Sequence, residues 1–223
     1  MKIVLAVGLL LFSADITVAQ NEFEGEIHYL HLFRFKTALP DSFNLVASDT
    51  SNLLSHFGSS SKYFYRKGSY KWTLETSDLQ IEYYDGQTGK AYDKLRDSDT
   101  IFAAPLSAND TLLKYEISKN ATTISGYKCD RITVVVGRKD DPMSFIVRNI
   151  YYSKDLPLNP QKFKAFKVYC TDKVFGLIRA VPLRIEIDTA DWPFTMRFEA
   201  VKVIKRSISW DEINLPKGSI VQK

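Results

Sequence analysis

The sequence predicts a mainly β fold: a large curved antiparallel sheet, or open half-barrel, with two or more covering helices. Two observations predict it. Hydrophobic residues alternate with polar ones through most of the chain, with turn residues at regular intervals. Strand-favouring aromatics are abundant, at 14 Phe, 12 Tyr and 3 Trp. Because twist accumulates across many strands, the sheet must curl and leave a concave side for the helices to cover.

The strand assignments follow the alternation. The run Glu26–Phe35 puts Ile27, Tyr29, His31, Phe33 and Phe35 on one face. Similar runs occupy 69–75, 81–95, 183–188 and 194–199, and Asp85–Gly89 reads as a turn. The phase breaks at Ala200-Val201, which predicts a β-bulge or a strand end.

Two segments change to helical spacing. Apolar residues from Phe43 to Phe57 recur three and four apart, with Asp41 or Ser42 as the cap and Gly58 as the end. A second helix is predicted from Asn159, the N-cap, with Pro160 at the first helical position. Its buried face would carry Phe163, Phe166 and Cys170.

The first 19 residues have the pattern of a secretory signal peptide. Lys2 supplies the positive end, Ile3–Phe12 is apolar, and a small-residue cleavage site ends at Ala19. A buried first helix is the rival interpretation, but the polar residues before Ala19-Gln20 favour cleavage there. We expect export to the periplasm or the extracellular space, a soluble mature protein, and one domain over residues 20–223.

Cys129 and Cys170 are the only two cysteines. In an oxidising compartment an even count favours a disulfide, here closing a loop that would stabilise the fold by roughly 4 kcal/mol. Two buried free thiols or a redox pair are the alternatives, although the close Cys-x-x-Cys spacing of redox pairs is absent. The sequence therefore predicts a structural Cys129–Cys170 disulfide.

The sequence shows no motif that carries chemistry. The formal charge of +4 is dispersed along strands, which argues against nucleic acid as a partner. His28 and His31 would point to opposite faces of a strand, and the Asp93–Asp99 turn lacks the glycine and glutamate of an EF-hand. No nucleophile elbow or phosphate-binding glycine loop occurs. We expect no metal, no cofactor and no enzymatic activity.

The aromatic residues suggest a cavity lining. Tyrosine and tryptophan suit either the edge of a core or the wall of a site for an apolar ligand. Ordinary sheet packing is the alternative. On strand and helix alternation, the predicted lining residues are Tyr29, Phe33, Tyr70, Trp72, Leu74, Tyr83, Phe163 and Phe166.

Several runs together suggest a family. They are a leader ending in Ala-Gln, "FEGEIHY", "ISGYKCDRITV", "YYSKDLPLN", "FGLI" and "INLPKGSIV". This order resembles an uncharacterised secreted protein family of Bacteroidetes-type bacteria, which is similar to the LolA-like lipoprotein-carrier superfamily. The resemblance implies a half-barrel, closed by helices, that holds acyl chains or other apolar cargo. It transfers no functional residue by motif, and the two cysteines differ from the plain carrier pattern.

These observations lead to a functional expectation. The protein would be a non-enzymatic exported module that binds a lipid, an acyl chain, a lipoprotein or another apolar ligand on the concave face. The alternative is an envelope module with a fully packed core, no ligand and a protein partner. A third interpretation is a hydrolase whose site the sequence does not show.

Overall fold

The structure is a computed structural model that describes residues 22–36, 50–138, 145–189, 192–216 and 219–221. The predicted signal peptide and the first part of the first predicted helix, with its cap, lie outside these residues. The strands are β1 (Gly25–Phe35), β2 (Ser60–Arg66), β3 (Ser69–Glu75), β4 (Leu79–Asp85), β5 (Lys90–Leu95), β6 (Thr100–Ala104), β7 (Asp110–Ile124), β8 (Tyr127–Arg138), β9 (Phe145–Pro157), β10 (Ala180–Thr189), β11 (Phe194–Lys205) and β12 (Ser219–Val221). The helices are α1 (Thr50–Phe57), α2 (Thr171–Ile178) and α3 (Trp210–Ile213).

All twelve strands belong to one sheet, in the order β12-β6-β5-β4-β3-β2-β1-β11-β10-β9-β8-β7. The chain meanders outward from β1 to β6, crosses to the far edge at β7, and meanders back to β11, which pairs with β1. Every pairing is antiparallel except that of β12 with β6. The prediction of a mainly β chain with one large antiparallel sheet is confirmed.

The sheet is curved. Seven strand spacings separate β5 from β9, which in a flat sheet would be roughly 34 Å. Nevertheless Asp93 of β5 and Arg148 of β9 line one cavity. The strands must therefore bend toward each other, and the face that carries these two residues is concave.

The bulge predicted from the sequence is present. His28 pairs with Lys202 and Tyr29 pairs with Ala200, so Val201 is the extra residue. Its side chain is exposed, whereas Tyr29 and Ala200 are buried. Elsewhere β1 alternates as predicted, with Ile27, Tyr29 and His31 buried.

The helices were predicted less well. Gly58 ends α1 as expected: its φ is +76° and its N–H donates to Leu54 O at 2.9 Å. Asn159 also caps as predicted, because its side chain accepts from Gln161 N–H, but only a four-residue 3-10 turn follows. The α-helix of this region, α2, is longer than that turn but begins only at Thr171, after the predicted helix ends at Cys170.

Residues 160–178, here called the cover segment, lie over the concave face. They comprise two 3-10 turns, the first at Pro160–Phe163, followed by α2. The inner side of α2 buries Val174 and Ile178 against strands β8–β10. At the other end, the Tyr84 hydroxyl donates to Lys162 O at 2.6 Å. The cover segment thus connects the two arms of the curved sheet, the one that contains β4 and the one that contains β8–β10.

The predicted disulfide is not formed. Cys129 and Cys170 are both buried free thiols, not at bonding distance. Cys129 packs in the main hydrophobic cluster around β1, while Cys170 packs in a second cluster between α2 and strands β8 and β9. Because the fold places the two side chains in different clusters, an even number of cysteines in an expected oxidising compartment was not enough to predict their pairing.

Within the part of the chain that the structure describes, no helix is long and apolar enough to cross a bilayer.

Candidate functional site

A cavity of about 530 Å³ lies on the concave face. Small-molecule sites commonly have volumes of about 300 to 1,000 Å³, so the cavity is large enough for a ligand. Strands from both arms of the sheet line it, together with the end of α1 and the cover segment. Its wall is mostly aromatic and aliphatic, with three ionisable exceptions, Glu82, Asp93 and Arg148.

The floor of the cavity is built from the central strands. The Trp72 ring lies 5.5 Å from the Phe198 ring in an edge-to-face contact and 6.4 Å from the Tyr29 ring. The Tyr29 hydroxyl donates to Pro182 O at 2.5 Å, which satisfies this buried group and fixes the ring. Trp72 Nε1 is buried and has no hydrogen-bond partner among the described residues. The floor is therefore apolar where the Trp72, Phe198 and Tyr29 rings meet.

A stack of aromatic rings closes one side. Tyr63, Tyr70 and Tyr84 come from adjacent strands and are stacked at centroid distances of 5.1 Å and 5.8 Å. Phe166 of the cover segment lies 5.4 Å from Tyr84, and Phe163 lies 5.2 Å from it. Since the strands supply one half of the stack and the cover segment the other, this side of the cavity is also the attachment of the cover.

A second aromatic cluster lies at the end of α1. Phe57 is 5.8 Å from Phe33, 5.9 Å from Trp192 and 6.0 Å from Phe194. Phe57 and Trp192 line the cavity, whereas Phe33 and Phe194 support them from behind. This cluster positions α1 at the edge of the cavity.

Two carboxyl groups occupy the β4–β5 wall. Glu82 and Asp93 are opposite each other in the antiparallel pair, and the Tyr70 hydroxyl donates to Glu82 Oε1. The pKa of Glu82 is raised to about 7: burial is the largest cause, the Tyr70 hydrogen bond lowers it, and the nearby Asp93 adds to the rise. The carboxyl group of Glu82 is therefore neutral in acid and ionises near neutral pH.

Arg148 lies on the other wall, on β9. Its Nε and Nη1 are buried and have no hydrogen-bond partner among the described residues. Its guanidinium lies 5.8 Å from the Tyr169 ring at the rim. Burial lowers the pKa of Arg148, but arginine stays charged at neutral pH. The cavity wall thus carries a cation for which the described residues supply no counter-ion.

A second cavity of about 390 Å³ adjoins the first. It is bordered by Asp110 and Arg138 on the β7–β8 edge. The two cavities share Ile146, Val168, Tyr169, Thr189 and Trp192. Because Tyr169 lies over Arg148, the guanidinium is close to where the two cavities meet.

The structure separates the predicted lining residues into two groups. Tyr29, Tyr70, Trp72 and Phe166 line the cavity. Phe33, Leu74, Tyr83 and Phe163 do not. Phe33 supports α1, Phe163 is a fully buried residue of the cover segment, and Leu74 is partly buried near the end of β3.

Tyr83 requires a correction. It packs on the convex face, in a small cluster with Ile81, Ile208 and Ile213. Its neighbours Glu82 and Tyr84 face the concave side instead. The run Tyr83-Tyr84 offers an aromatic residue to each face, so the alternation alone could not show which tyrosine points inward.

Glu82, Arg148 and Trp192 line the cavity but were not predicted from the sequence. Glu82 and Arg148 occupy inward-facing positions of β4 and β9, where alternation predicts apolar side chains. A polar residue at an inward position is the signal that could have marked them. Recognising this signal requires knowing which residues of each strand face inward. In β4 the Tyr83-Tyr84 run leaves that undecided, because it puts an aromatic residue on each face.

A serine and a histidine form a buried pair between β1 and β2. His31 Nδ1 lies 3.0 Å from Phe57 O and 3.1 Å from Gly58 O. Since carbonyl oxygens only accept, Nδ1 carries the proton, and Nε2 accepts from the Ser61 hydroxyl at 2.8 Å. Both residues are buried and neither lines a cavity described above. The pair fastens the end of α1 to the sheet.

Metal binding finds no support in the described ranges, where no group of three or more His, Cys, Asp or Glu side chains could hold an ion.

No protein-family model matches this sequence, and no curated protein matches it either. The geometry and chemistry of the cavity therefore carry the functional interpretation.

Proposed function

We propose that this protein is a non-enzymatic carrier that holds a lipid-like or other apolar ligand in the concave cavity of a LolA-like half-barrel. The observation that carries the proposal is the aromatic-lined cavity of about 530 Å³ beneath the curved sheet. Each methylene group buried there would contribute about 0.8 kcal/mol to binding. The leader of residues 1–19 supports export, so we place the carrier in the periplasm or the extracellular space.

The rival interpretation, an envelope module with a protein partner, requires the concave side to be filled by the protein's own side chains. The cavity argues against that premise. The hydrolase interpretation requires a nucleophile that a substrate can reach. Ser61 is buried beside His31 and lines neither cavity, which supports a structural role for the pair.

A substitution in the floor tests the proposal. Trp72→Glu places a charge beside Phe198 and Tyr29, so binding of a neutral alkyl ligand such as 1-dodecanol should fall at least about tenfold. The matched control is Thr73→Glu, one position further along β3. Thr73 pairs with Lys62, and the added carboxylate would lie outside the cavity. Isothermal titration calorimetry measures the affinity of each variant.

The outcomes distinguish the interpretations. A lipid seen by native mass spectrometry on protein purified from its own source would support the carrier. If the folded wild-type protein binds no acyl ligand and carries none, the carrier proposal fails and a protein partner becomes the better explanation. If Trp72→Glu loses its fold as well as its binding, Trp72→Phe keeps the test valid: it retains an apolar ring and should retain most of the affinity.

A further inference from the structure

Arg148 is unusual among the buried arginines of the described chain. Three other arginines each have one buried Nε without a hydrogen bond, and each has a polar partner elsewhere: Arg184 Nε lies 2.8 Å from Glu199 Oε2, Arg66 Nε lies 3.8 Å from Glu24 Oε1, and Arg131 Nη2 donates to Ser118 Oγ at 3.1 Å. Arg148 has two such nitrogens. The ionisable groups that act on Arg148 are the Tyr169 phenol and the Cys170 thiol, neither of which is a carboxylate. Its charge is therefore not neutralised by these neighbours.

Burying a charge without a partner is costly. The Nε and Nη1 atoms together carry three N–H bonds, and both nitrogens are withdrawn from solvent without an acceptor. Solvation by bulk water is therefore largely lost at these two atoms. An oxyanion held in the cavity that Arg148 lines is a suitable partner for this charge, because oxyanion oxygens accept charge-assisted hydrogen bonds from a guanidinium.

The position of Arg148 fits the head group of an amphiphile. Its side chain lines the large aromatic cavity, and Tyr169, which lies over it, also lines the adjoining cavity of about 390 Å³. A head group on Arg148 would lie where the two cavities meet. The attached chain could then extend toward Trp72 and Phe198 on the floor.

The charges on the other wall agree with this arrangement. Glu82 and Asp93 lie on β4 and β5, across the cavity from β9. Where Glu82 is ionised, near and above neutral pH, an anionic head group would avoid that wall and favour Arg148. The two walls thus give the cavity a polarity that orients an elongated ligand.

We propose that the ligand is an anionic amphiphile whose carboxylate or phosphate head group binds Arg148 while its alkyl chain occupies the aromatic cavity. This inference rests on the proposed carrier function and names the chemical class of its ligand.

The test compares dodecanoate, dodecyl phosphate and 1-dodecanol, which share one alkyl chain, on the full chain at neutral pH by calorimetry. A charged hydrogen-bonded pair should make an anionic ligand bind about 10- to 100-fold more tightly than the alcohol. Arg148→Met, which keeps the length of the side chain, should abolish that preference and leave alcohol binding intact. A preference for the phosphate over the carboxylate would identify a phosphate head group, and the reverse a carboxylate.

The control is Arg197→Met, the same change on the convex face, where Arg197 pairs with Glu186. It should leave the preference for the anion unchanged. Thermal unfolding of the ligand-free Arg148→Met variant should show a fold at least as stable as the wild type, because the substitution removes an unpaired buried charge.

The failures are distinguishable. If the alcohol binds as tightly as both anions, or if Arg148→Met retains the preference, the head-group inference is overturned while the carrier function stands. If neither the alcohol nor the anions bind to the folded wild type, the carrier function itself fails.

Discussion

Glu82 places a carboxyl group in a cavity wall that is otherwise mostly apolar. The adjacent strand supplies the Tyr70 hydroxyl as its hydrogen-bond donor, and Asp93 lies opposite it. Burial is the largest cause of the raised pKa, which lies at about 7 rather than 4.5. Folding therefore favours the protonated acid.

The sign of the pH dependence follows from that shift. An acid whose pKa is higher in the folded state contributes stability that is complete below pH 4.5 and is lost as the pH rises toward about 7. His31 acts in the opposite sense. Burial lowers its pKa, so its contribution to the free energy of unfolding is lost as the pH falls below 6.5. A wild-type curve contains both effects, and only a variant separates them.

We expect Glu82→Gln to isolate the acid. Between pH 4.5 and pH 7, the free energy of unfolding of the wild type should fall relative to that of the variant by about 2 to 3 kcal/mol. Urea denaturation at a series of pH values measures the difference. Parallel curves for the two proteins would contradict the buried, protonated state of Glu82.

At the scale of elements, the cover segment joins the two arms of the sheet. Its start stacks Phe163 and Phe166 on tyrosines of β3 and β4, and its end, α2, packs on β8–β10. The backbone at Tyr169 and Cys170 has positive φ values of 52° and 55°, which non-glycine residues adopt at some cost. This strained link sets the direction of α2 and places Tyr169 over Arg148.

Packing of α2 can be tested by alanine substitution. Ile178 is 4% exposed in the second cluster, so Ile178→Ala should lower the free energy of unfolding by about 2 to 4 kcal/mol. Leu177, the preceding residue, is 37% exposed, and Leu177→Ala should cost less than about 1 kcal/mol. Equal effects of the two substitutions in urea denaturation would show that α2 does not pack as described.

The elements differ in how well the sequence predicted them. Strands such as β1 were clear because one face is buried and the other meets solvent, so alternation records the packing directly. The helix α2 was missed because its eight residues follow a kinked pair of 3-10 turns, which offers no continuous helical period. Its formation depends on the strands beneath it.

At the scale of the whole molecule, curvature decides which residues meet. Strands far apart in sheet order, such as β5 and β9, form opposite walls of one cavity. The curvature of the sheet and the cover segment also separate the main hydrophobic cluster around β1 from the cluster under α2. Each of these two clusters holds one cysteine.

The state of the thiols is directly measurable. Alkylation of the denatured, unreduced protein should add two groups, since Cys129 and Cys170 are free. In the native state both thiols should react slowly, because both side chains are buried and burial raises the pKa of each. Mass spectrometry counts the added groups; a mass with none added after denaturation would mean that a disulfide had formed.

The amino-acid sequence by itself determined most of the strands, the turn at Asp85–Gly89, the break in alternation at Ala200-Val201 and the mainly β class, because these depend on local alternation and turn chemistry. Only the tertiary structure decided that Tyr83 faces outward, that the cysteines lie apart, and that Glu82 and Arg148 line one cavity. Those facts depend on the phase of each strand against its neighbours and on the accumulated bend of the sheet. Both are properties of residues distant in sequence, which no local pattern records.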